Sequence, residues 1–122
     1  MEELRKYFDE INAETGEPTG SLQGKEIPDA LREFYETFGS VELPYGRIYD
    51  LEQAVKNAER IPFFPDWFVF GEDHYFCLWL CYKGEDCDGR CFTCWDHESG
   101  LEIDEPVWRD LLSFLKEMEE AN

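Results

Sequence analysis

The chain has 122 residues, of which 43% are hydrophobic and 16% aromatic, and its formal net charge is −18. This length predicts one domain over residues 1–122, and the aromatic content argues against disorder. The charge argues against nucleic acid and anionic membranes as partners, because phosphate contacts depend on Lys and Arg, and no run approaches the roughly 20 apolar residues of a membrane span.

Four segments have the apolar periodicity of helices. The first lies within residues 2–14. The second begins after Ile27 with Pro28 at its first helical position, and Gly39 ends it. The third begins at Asp50, a capping residue with Gln53 three positions later, and the last opens at residues 104–106. The apolar faces comprise Leu4, Tyr7, Phe8 and Ile11; Leu31, Phe34, Tyr35 and Phe38; Leu51, Ala54, Val55 and Ala58; and Val107, Leu111, Phe114, Leu115 and Met118.

Short aromatic, branched and cysteine-containing runs between residues 61 and 96 are separated by Gly, Asp and Glu, which is typical of consecutive antiparallel strands. The predicted strands are Trp67–Phe70, Tyr75–Tyr82 and Arg90–Trp95, with a short strand at Val41–Leu43 and a strand or turn at Leu101–Ile103. The middle run is apolar at nearly every position, so both of its faces are expected to be buried. The element order predicts an α+β fold, with an antiparallel sheet of four to six strands and helices packed around it.

The N-terminus reads Met-Glu-Glu-Leu-Arg-Lys, which lacks the basic stub and apolar core of a signal peptide. We therefore expect a cytoplasmic protein. The five cysteines are an odd number, and in a reducing compartment free thiols are the expectation.

Three segments, taken in order and spacing, carry a family resemblance. They are Ile27-Pro28-x-x-Leu31-x-x-Phe34-Tyr35-x-x-Phe38-Gly39-Ser40; Ile61-Pro62-Phe63-Phe64 leading into Phe70-Gly71-Glu72-Asp73; and Cys94-Trp95-Asp96-His97-Glu98 followed by the closing helix. Together they resemble the SUKH superfamily, which includes the Smi/Knr-like and Syd-like proteins. The resemblance extends over about residues 27–118, most of the chain.

The resemblance implies a SUKH-like α+β domain without catalytic activity or cofactor. Bacterial members are mostly immunity proteins that bind and neutralise toxins, often nucleases, whereas eukaryotic members are regulatory scaffolds in cell-wall synthesis. The compact chain resembles the bacterial type, so we expect an immunity protein. The alternative is a regulatory scaffold that binds an endogenous protein in cell-envelope synthesis.

The two histidines invite a catalytic interpretation. His97 stands between Asp96 and Glu98, either of which would orient a general base. No nucleophile or second base accompanies it at a recognisable spacing, and proton transfer needs partnered groups. We therefore interpret His97 as a structural residue, and His74 as an ordinary turn residue.

A zinc site is the alternative for the cysteine-rich segment, where Cys87, Cys91, Cys94 and His97 lie within eleven residues. Structural zinc needs four convergent ligands. Cys91 and Cys94 are three apart in a predicted strand, so they point to opposite faces. We predict no metal, and whether these cysteines and His97 bind one is left open. Cys77 and Cys81 are predicted to be small core residues.

Carboxylates are concentrated in residues 84–105, which hold eight of them against one basic residue, Arg90. We expect a negative patch that docks a basic partner, because complementary charge speeds association and adds specificity. A solvated rim without a partner is the alternative. The expected partner is a basic toxin domain, and the protein is expected to be a monomer or weak dimer. The predicted contact residues are Glu72, Asp73, Glu85, Asp86, Asp88 and Glu98.

Overall fold

The computed structural model describes residues 2–18, 27–60, 66–75, 77–83, 91–96 and 108–121. Within these ranges it has four α-helices and one antiparallel sheet of six strands. The predicted α+β class is therefore confirmed. The predicted strand or turn at Leu101–Ile103 lies outside the described residues.

The four helices bury most of the apolar faces that their periodicity predicts. Leu4, Tyr7 and Phe8 of the first helix are buried, as are Phe114 and Leu115 of the last. The third helix differs, because Val55 is 60% exposed and only Ala54 of its predicted face is fully buried. The helices are α1 Glu2–Glu10, α2 Asp29–Thr37, α3 Leu51–Asn57 and α4 Leu111–Ala121, with a 3₁₀ turn at Ala58–Arg60 after α3.

Two predicted helix ends are confirmed. The Asp50 side chain accepts a hydrogen bond from the backbone N–H of Gln53 at 2.8 Å, which satisfies a donor that the first turn of α3 leaves free. Gly39 follows α2 with φ of 76°, a left-handed conformation that glycine adopts without steric cost. Local capping chemistry therefore sets these two boundaries.

The predicted starts of α2 and α4 are wrong. Pro28 is extended, with ψ of 139°, and it precedes the helix instead of beginning it. A helix opening at residues 104–106 would include Trp108, but Trp108 pairs with Phe92 of the sheet. The helix begins instead after Asp110, whose side chain accepts from the N–H of Ser113 at 2.7 Å.

The six strands lie in the sheet in the same order as in the sequence, and each pairs antiparallel with its predecessor. The predicted strands at Val41–Leu43, Trp67–Phe70 and the C-terminal end of the middle run are confirmed, but two short strands were not predicted. The strand predicted at Arg90–Trp95 begins at Phe92, and Arg90 lies outside the described residues. The strands are β1 Glu14–Thr15, β2 Val41–Leu43, β3 Gly46–Ile48, β4 Trp67–Asp73, β5 Leu78–Tyr82 and β6 Phe92–Trp95.

Strands β4 and β5 differ from the prediction where they meet. Strand β4 continues beyond Phe70 to Asp73, and β5 begins at Leu78 instead of Tyr75. The reason is a turn closed by Asp73, whose side chain accepts hydrogen bonds from the N–H of Tyr75 and of Cys77. Four of the five β5 residues are buried, so the expectation of burial on both faces is confirmed.

One face of the sheet packs against α4 through aromatic rings. The Phe114 ring lies 5.7 Å from Phe70, 5.6 Å from Trp79 and 6.1 Å from Phe92. Edge-to-face aromatic pairs stabilise by about 0.5–1.5 kcal/mol beyond the area that they bury. This cluster fixes the helix on β4, β5 and β6.

The indole of Trp79 lies on the backbone of two neighbouring strands. Its ring carbons come within 2.7 Å of the position that a Cβ would occupy on Gly46 of β3, and equally close to the corresponding position on Gly71 of β4. A side chain at either glycine would collide with the indole. Because neither glycine has a side chain, the indole fits over both β3 and β4.

Candidate partner-binding surface

Two of the six predicted contact residues lie in the described part of the chain. They are Glu72 and Asp73, the last two residues of β4. The other four, Glu85, Asp86, Asp88 and Glu98, lie outside the described residues. The surface is therefore built from Glu72 and its neighbours in the sheet.

The strand register places Glu72 in a line of charged side chains across four strands. Glu14 of β1 is opposite Glu42 of β2, Glu42 is opposite Arg47 of β3, and Arg47 is opposite Glu72. Directly paired residues share a face of the sheet. We call these four residues the cross-strand row. Its neighbours along β2 and β3 point to the other face and are buried: Val41, Leu43 and Ile48.

Arg47 is the cation of the cross-strand row and is shared between two carboxylates. Its Nε lies 3.6 Å from Glu42 and 3.9 Å from Glu72. Glu14 has no ion-pair partner within the described ranges, although the like charge of Glu42 lies directly opposite it. Like charges in this position destabilise a strand pair. The row therefore has a net negative charge, and its least compensated carboxylate is at the edge of the sheet.

A hollow of about 200 Å³ lies at the β1 end of the cross-strand row. Row residues Glu14, Glu42 and Arg47 line it together with Ser40 and, from α3, Gln53. The lining is therefore mainly polar and acidic. Such a hollow suits the cationic end of a long side chain, which is a compact donor of hydrogen bonds to carboxylates.

Asp73 has a structural task in addition to its predicted role. One of its carboxylate oxygens accepts from Tyr75 N at 2.7 Å and from Cys77 N at 3.0 Å. Those bonds hold the β4–β5 turn. Beside them His74 is exposed and Tyr75 is 67% exposed. The turn thus presents an exposed aromatic ring three residues after Glu72. Tyrosine is one of the residues that most often anchor a protein interface.

The cysteines are not all free, contrary to expectation. Cys77, Cys81 and Cys94 have free thiols, but Cys91 is disulfide-bonded. A bonded sulfur is not a thiolate, so Cys91 in this form does not supply the ligand that the zinc alternative requires. Cys87 and His97 of that alternative lie outside the described residues, and the described part of the chain holds no group of three potential metal ligands.

Two of the free thiols, those of Cys81 and Cys77, are not activated. Cys81 is fully buried in the core, as predicted, and burial raises its pKa. Cys77 is only half-buried, but desolvation, followed by the charges of Asp73 and Asp96, raises its pKa to about 12. A thiol needs a lowered pKa to act as a nucleophile near neutral pH. These two cysteines therefore remain protonated.

Three buried tyrosines also hold their protons. The hydroxyls of Tyr7 in α1 and Tyr45 in the β2–β3 turn form a 2.6 Å hydrogen bond. Desolvation is the main cause that raises the pKa of both groups, and it also raises that of Tyr35, whose hydroxyl donates to the Tyr49 carbonyl. These phenols act as neutral structural groups at physiological pH.

A second concavity of about 290 Å³ lies between α1, α2 and the start of α4. Leu4, Phe92 and Leu111 contribute its apolar floor, while Glu3 and Arg109 are charged residues of its lining. It is larger than the hollow beside the row, and both concavities are lined by charges of both signs.

The sequence reasoning missed Glu14, Glu42 and Arg47. A signal for two of them is visible, because Val41-Glu42-Leu43 and Gly46-Arg47-Ile48 both place a charged residue between two residues that the fold buries. Alternation of this kind marks a strand with one buried and one open face. A two-residue strand such as β1 is too short to produce it.

Comparison with family models and with curated proteins identified no relative of this chain. No protein-family model matches the chain, and no curated protein matches it. Separately, no helix in the described part of the chain is long and apolar enough to cross a membrane.

Proposed function

We propose that this protein is a non-catalytic protein-binding domain that holds a basic partner against an acidic surface. The resemblance to the SUKH superfamily gives the role, that of a cytoplasmic bacterial immunity protein whose partner is a toxin domain. The observation that carries the proposal is the cross-strand row, a line of three carboxylates and one arginine on an exposed part of the sheet.

Exposure and charge both support this use of the row. Side-chain exposures of 56% for Glu42 and 29% for Glu72 leave the carboxylates accessible while the strands hold their spacing. The net charge of −18 extends the negative potential beyond the row. A basic protein would therefore be attracted at long range and aligned at short range.

The energetics favour recognition over stability as the role of the row. Exposed ion pairs at 3.6 and 3.9 Å contribute little to folding, typically below about 1 kcal/mol. The like-charged pair Glu14 and Glu42 costs stability instead. A cation supplied by a partner would offset that cost only in the complex.

The test is binding to the product of a neighbouring toxin gene, measured by stopped-flow at low and high salt. A triple variant Glu14→Lys, Glu42→Lys and Glu72→Lys should slow association by about tenfold or more at low salt, because complementary charge mainly sets the association rate. A matched variant Glu36→Lys, Glu117→Lys and Glu120→Lys has the same net charge change on exposed helix positions and should have a smaller effect.

A third variant reverses the predicted contacts Glu85, Asp86, Asp88 and Glu98 and measures their share of binding. Equal effects of the row and helix variants would contradict a localised surface. Binding that does not respond to salt would contradict the charge-based proposal. The scaffold alternative would be favoured if no toxin gene lies nearby and an endogenous envelope-synthesis protein binds with the same salt and variant dependence.

A further inference from the structure

Strand β1 is the edge of the sheet at which the cross-strand row ends, and it is open. Both of its residues, Glu14 and Thr15, are exposed. The strand pairs with β2 on one side, and no described strand lies on its other side. An open edge presents backbone groups that another extended chain can pair with.

The hydrogen-bond pattern shows which groups face outward. The N–H of Gly16 donates to the Ser40 carbonyl at 2.9 Å, so Gly16 and Ser40 form a hydrogen-bonded pair. In an antiparallel ladder such pairs alternate with pairs that exchange no bonds. Thr15, opposite Val41, therefore directs its N–H and its carbonyl away from the sheet.

The side chains at this edge select the charge of whatever pairs with it. Glu14 faces Glu42 across the strand pair and has no cation beside it in the described ranges. A strand added outside β1 would place one side chain directly opposite Glu14. A Lys or Arg there would continue the row with the missing positive charge and would lie next to the hollow bordered by Glu14, Glu42 and Gln53.

The same arrangement disfavours a second copy of this chain. If β1 paired with β1 of another molecule, the Glu14 side chains would add further negative charge to an edge where Glu14 already faces Glu42 without a cation of its own. Charged residues on short edge strands are a known protection against such self-pairing. The edge therefore discriminates by rejecting acidic strands as well as by attracting basic ones.

We propose that the β1 edge receives an extended basic segment of the partner, which pairs with the outward N–H and carbonyl of Thr15 and places a Lys or Arg against Glu14. The inference rests on the proposed function, since it specifies how the basic partner is held. Backbone bonds supply the docking, and the Glu14 charge supplies the preference for a basic strand.

The experiment uses a short capped peptide that alternates lysine and valine, titrated into the full-length protein at low salt. Backbone NMR shifts and hydrogen exchange are followed at Thr15 and its neighbours. We expect slower exchange of the Thr15 amide as the peptide is added. A peptide alternating glutamate and valine, and the lysine peptide with N-methylated amides, should leave that amide unprotected.

Two variants, each with a control, separate the contribution of the Glu14 charge from that of the backbone hydrogen bonds at Thr15. Glu14→Gln should weaken the lysine peptide by about two- to fivefold, the range for one exposed ion pair, while Glu117→Gln on α4 should leave its affinity unchanged. Thr15→Pro removes the outward N–H but none of the bonds to β2 and should abolish edge binding, whereas Thr15→Val should retain it.

Each contrary result has a distinct meaning. Shifts from the lysine peptide that leave Thr15 unaffected, or no shifts at millimolar peptide, would overturn the edge proposal. The proposed function would survive either result if the partner still responds to the triple row variant. Protection of Thr15 that rises with protein concentration alone would identify a second copy as the occupant and would also overturn the proposal.

Discussion

The face of the sheet that carries Glu72 differs between its two ends. At β1–β3 this face exposes Glu14, Glu42 and Arg47. At β5 and β6 the same face carries Leu78, Leu80 and Trp95, which are 1%, 0% and 7% exposed. Burial of large apolar side chains supplies most of the folding free energy, so the β4–β6 end fixes the fold and leaves the β1–β3 end free to carry charge.

The acidic surface is thus supported by the packed side of the sheet, and its exposed charges contribute little to folding stability. The other side of β2 and β3 is buried through Val41 and Ile48, so Glu42 and Arg47 stand on strands whose opposite face is packed. Side chains on strands keep their spacing better than side chains on loops.

Phe114→Ala should have the largest effect on stability, because Phe114 packs against the β4–β6 end of the sheet. It removes a fully buried ring that contacts Phe70, Trp79 and Phe92. We expect the free energy of unfolding to fall by about 3–5 kcal/mol, measured by denaturant titration. Glu117→Ala on the exposed side of the same helix should change it by less than about 0.5 kcal/mol. Similar losses for both variants would remove the distinction between support and surface.

Gly71→Ala tests the packing of the Trp79 indole on β4, where the two ends of the sheet meet. Gly71 pairs with Ile48 and with Trp79, and a Cβ there would lie 2.7 Å from the indole and would also meet the Arg47 carbonyl. Overpacking of this kind should cost about 1–3 kcal/mol of unfolding free energy.

Combining Gly71→Ala with Trp79→Phe sharpens that test. The smaller ring makes room, so the double variant should be less destabilised than the sum of the two single variants. Strict additivity in a denaturant-measured double-mutant cycle would contradict the indole-on-glycine packing.

Asp50→Ala tests α3, which connects β3 to β4 and so joins the two ends. The substitution removes the bond that Asp50 accepts from Gln53 N and should cost about 1 kcal/mol. Asp50→Asn retains an acceptor and should cost less. A loss of the same size in both variants would show that charge, and not capping, is what Asp50 contributes.

Glu14→Gln should have the smallest effect on folding and the opposite sign. It removes the repulsion between Glu14 and Glu42, so we expect the free energy of unfolding to rise by about 0.2–0.5 kcal/mol at low salt. Added salt screens surface charges and should remove the gain. A clear loss of stability on this substitution, seen in thermal unfolding, would show that Glu14 supports the fold.

Sequence patterns predicted the elements whose chemistry is local. Periodicity placed the buried faces of α1, α2 and α4, and the short-range caps at Asp50 and Gly39 follow from residue type. The start of α4 could not be predicted, because it depends on Trp108 pairing with Phe92, a contact between distant parts of the chain.

The candidate surface was less accessible to sequence reasoning. Glu72 was predicted to be a contact residue, but its neighbours Glu42 and Arg47 are 30 and 25 residues away along the chain and meet it only through strand register. Charge density along the sequence pointed to residues 84–105 instead. The disulfide bond of Cys91 was not predicted either, because an odd number of cysteines and an expected reducing compartment favoured free thiols.

The sequential order of the strands also bears on how the chain folds. Strands β2–β3 and β4–β5 join through short turns, which close quickly because little chain entropy is lost. Strand β1 joins the sheet differently, since α2 lies between it and β2 and its contact with β2 is short, two strand pairs and the adjoining Gly16–Ser40 hydrogen bond. We therefore expect β1 to join the sheet late and to open first, so that the edge offered to a partner is also the part of the sheet that can adjust to one.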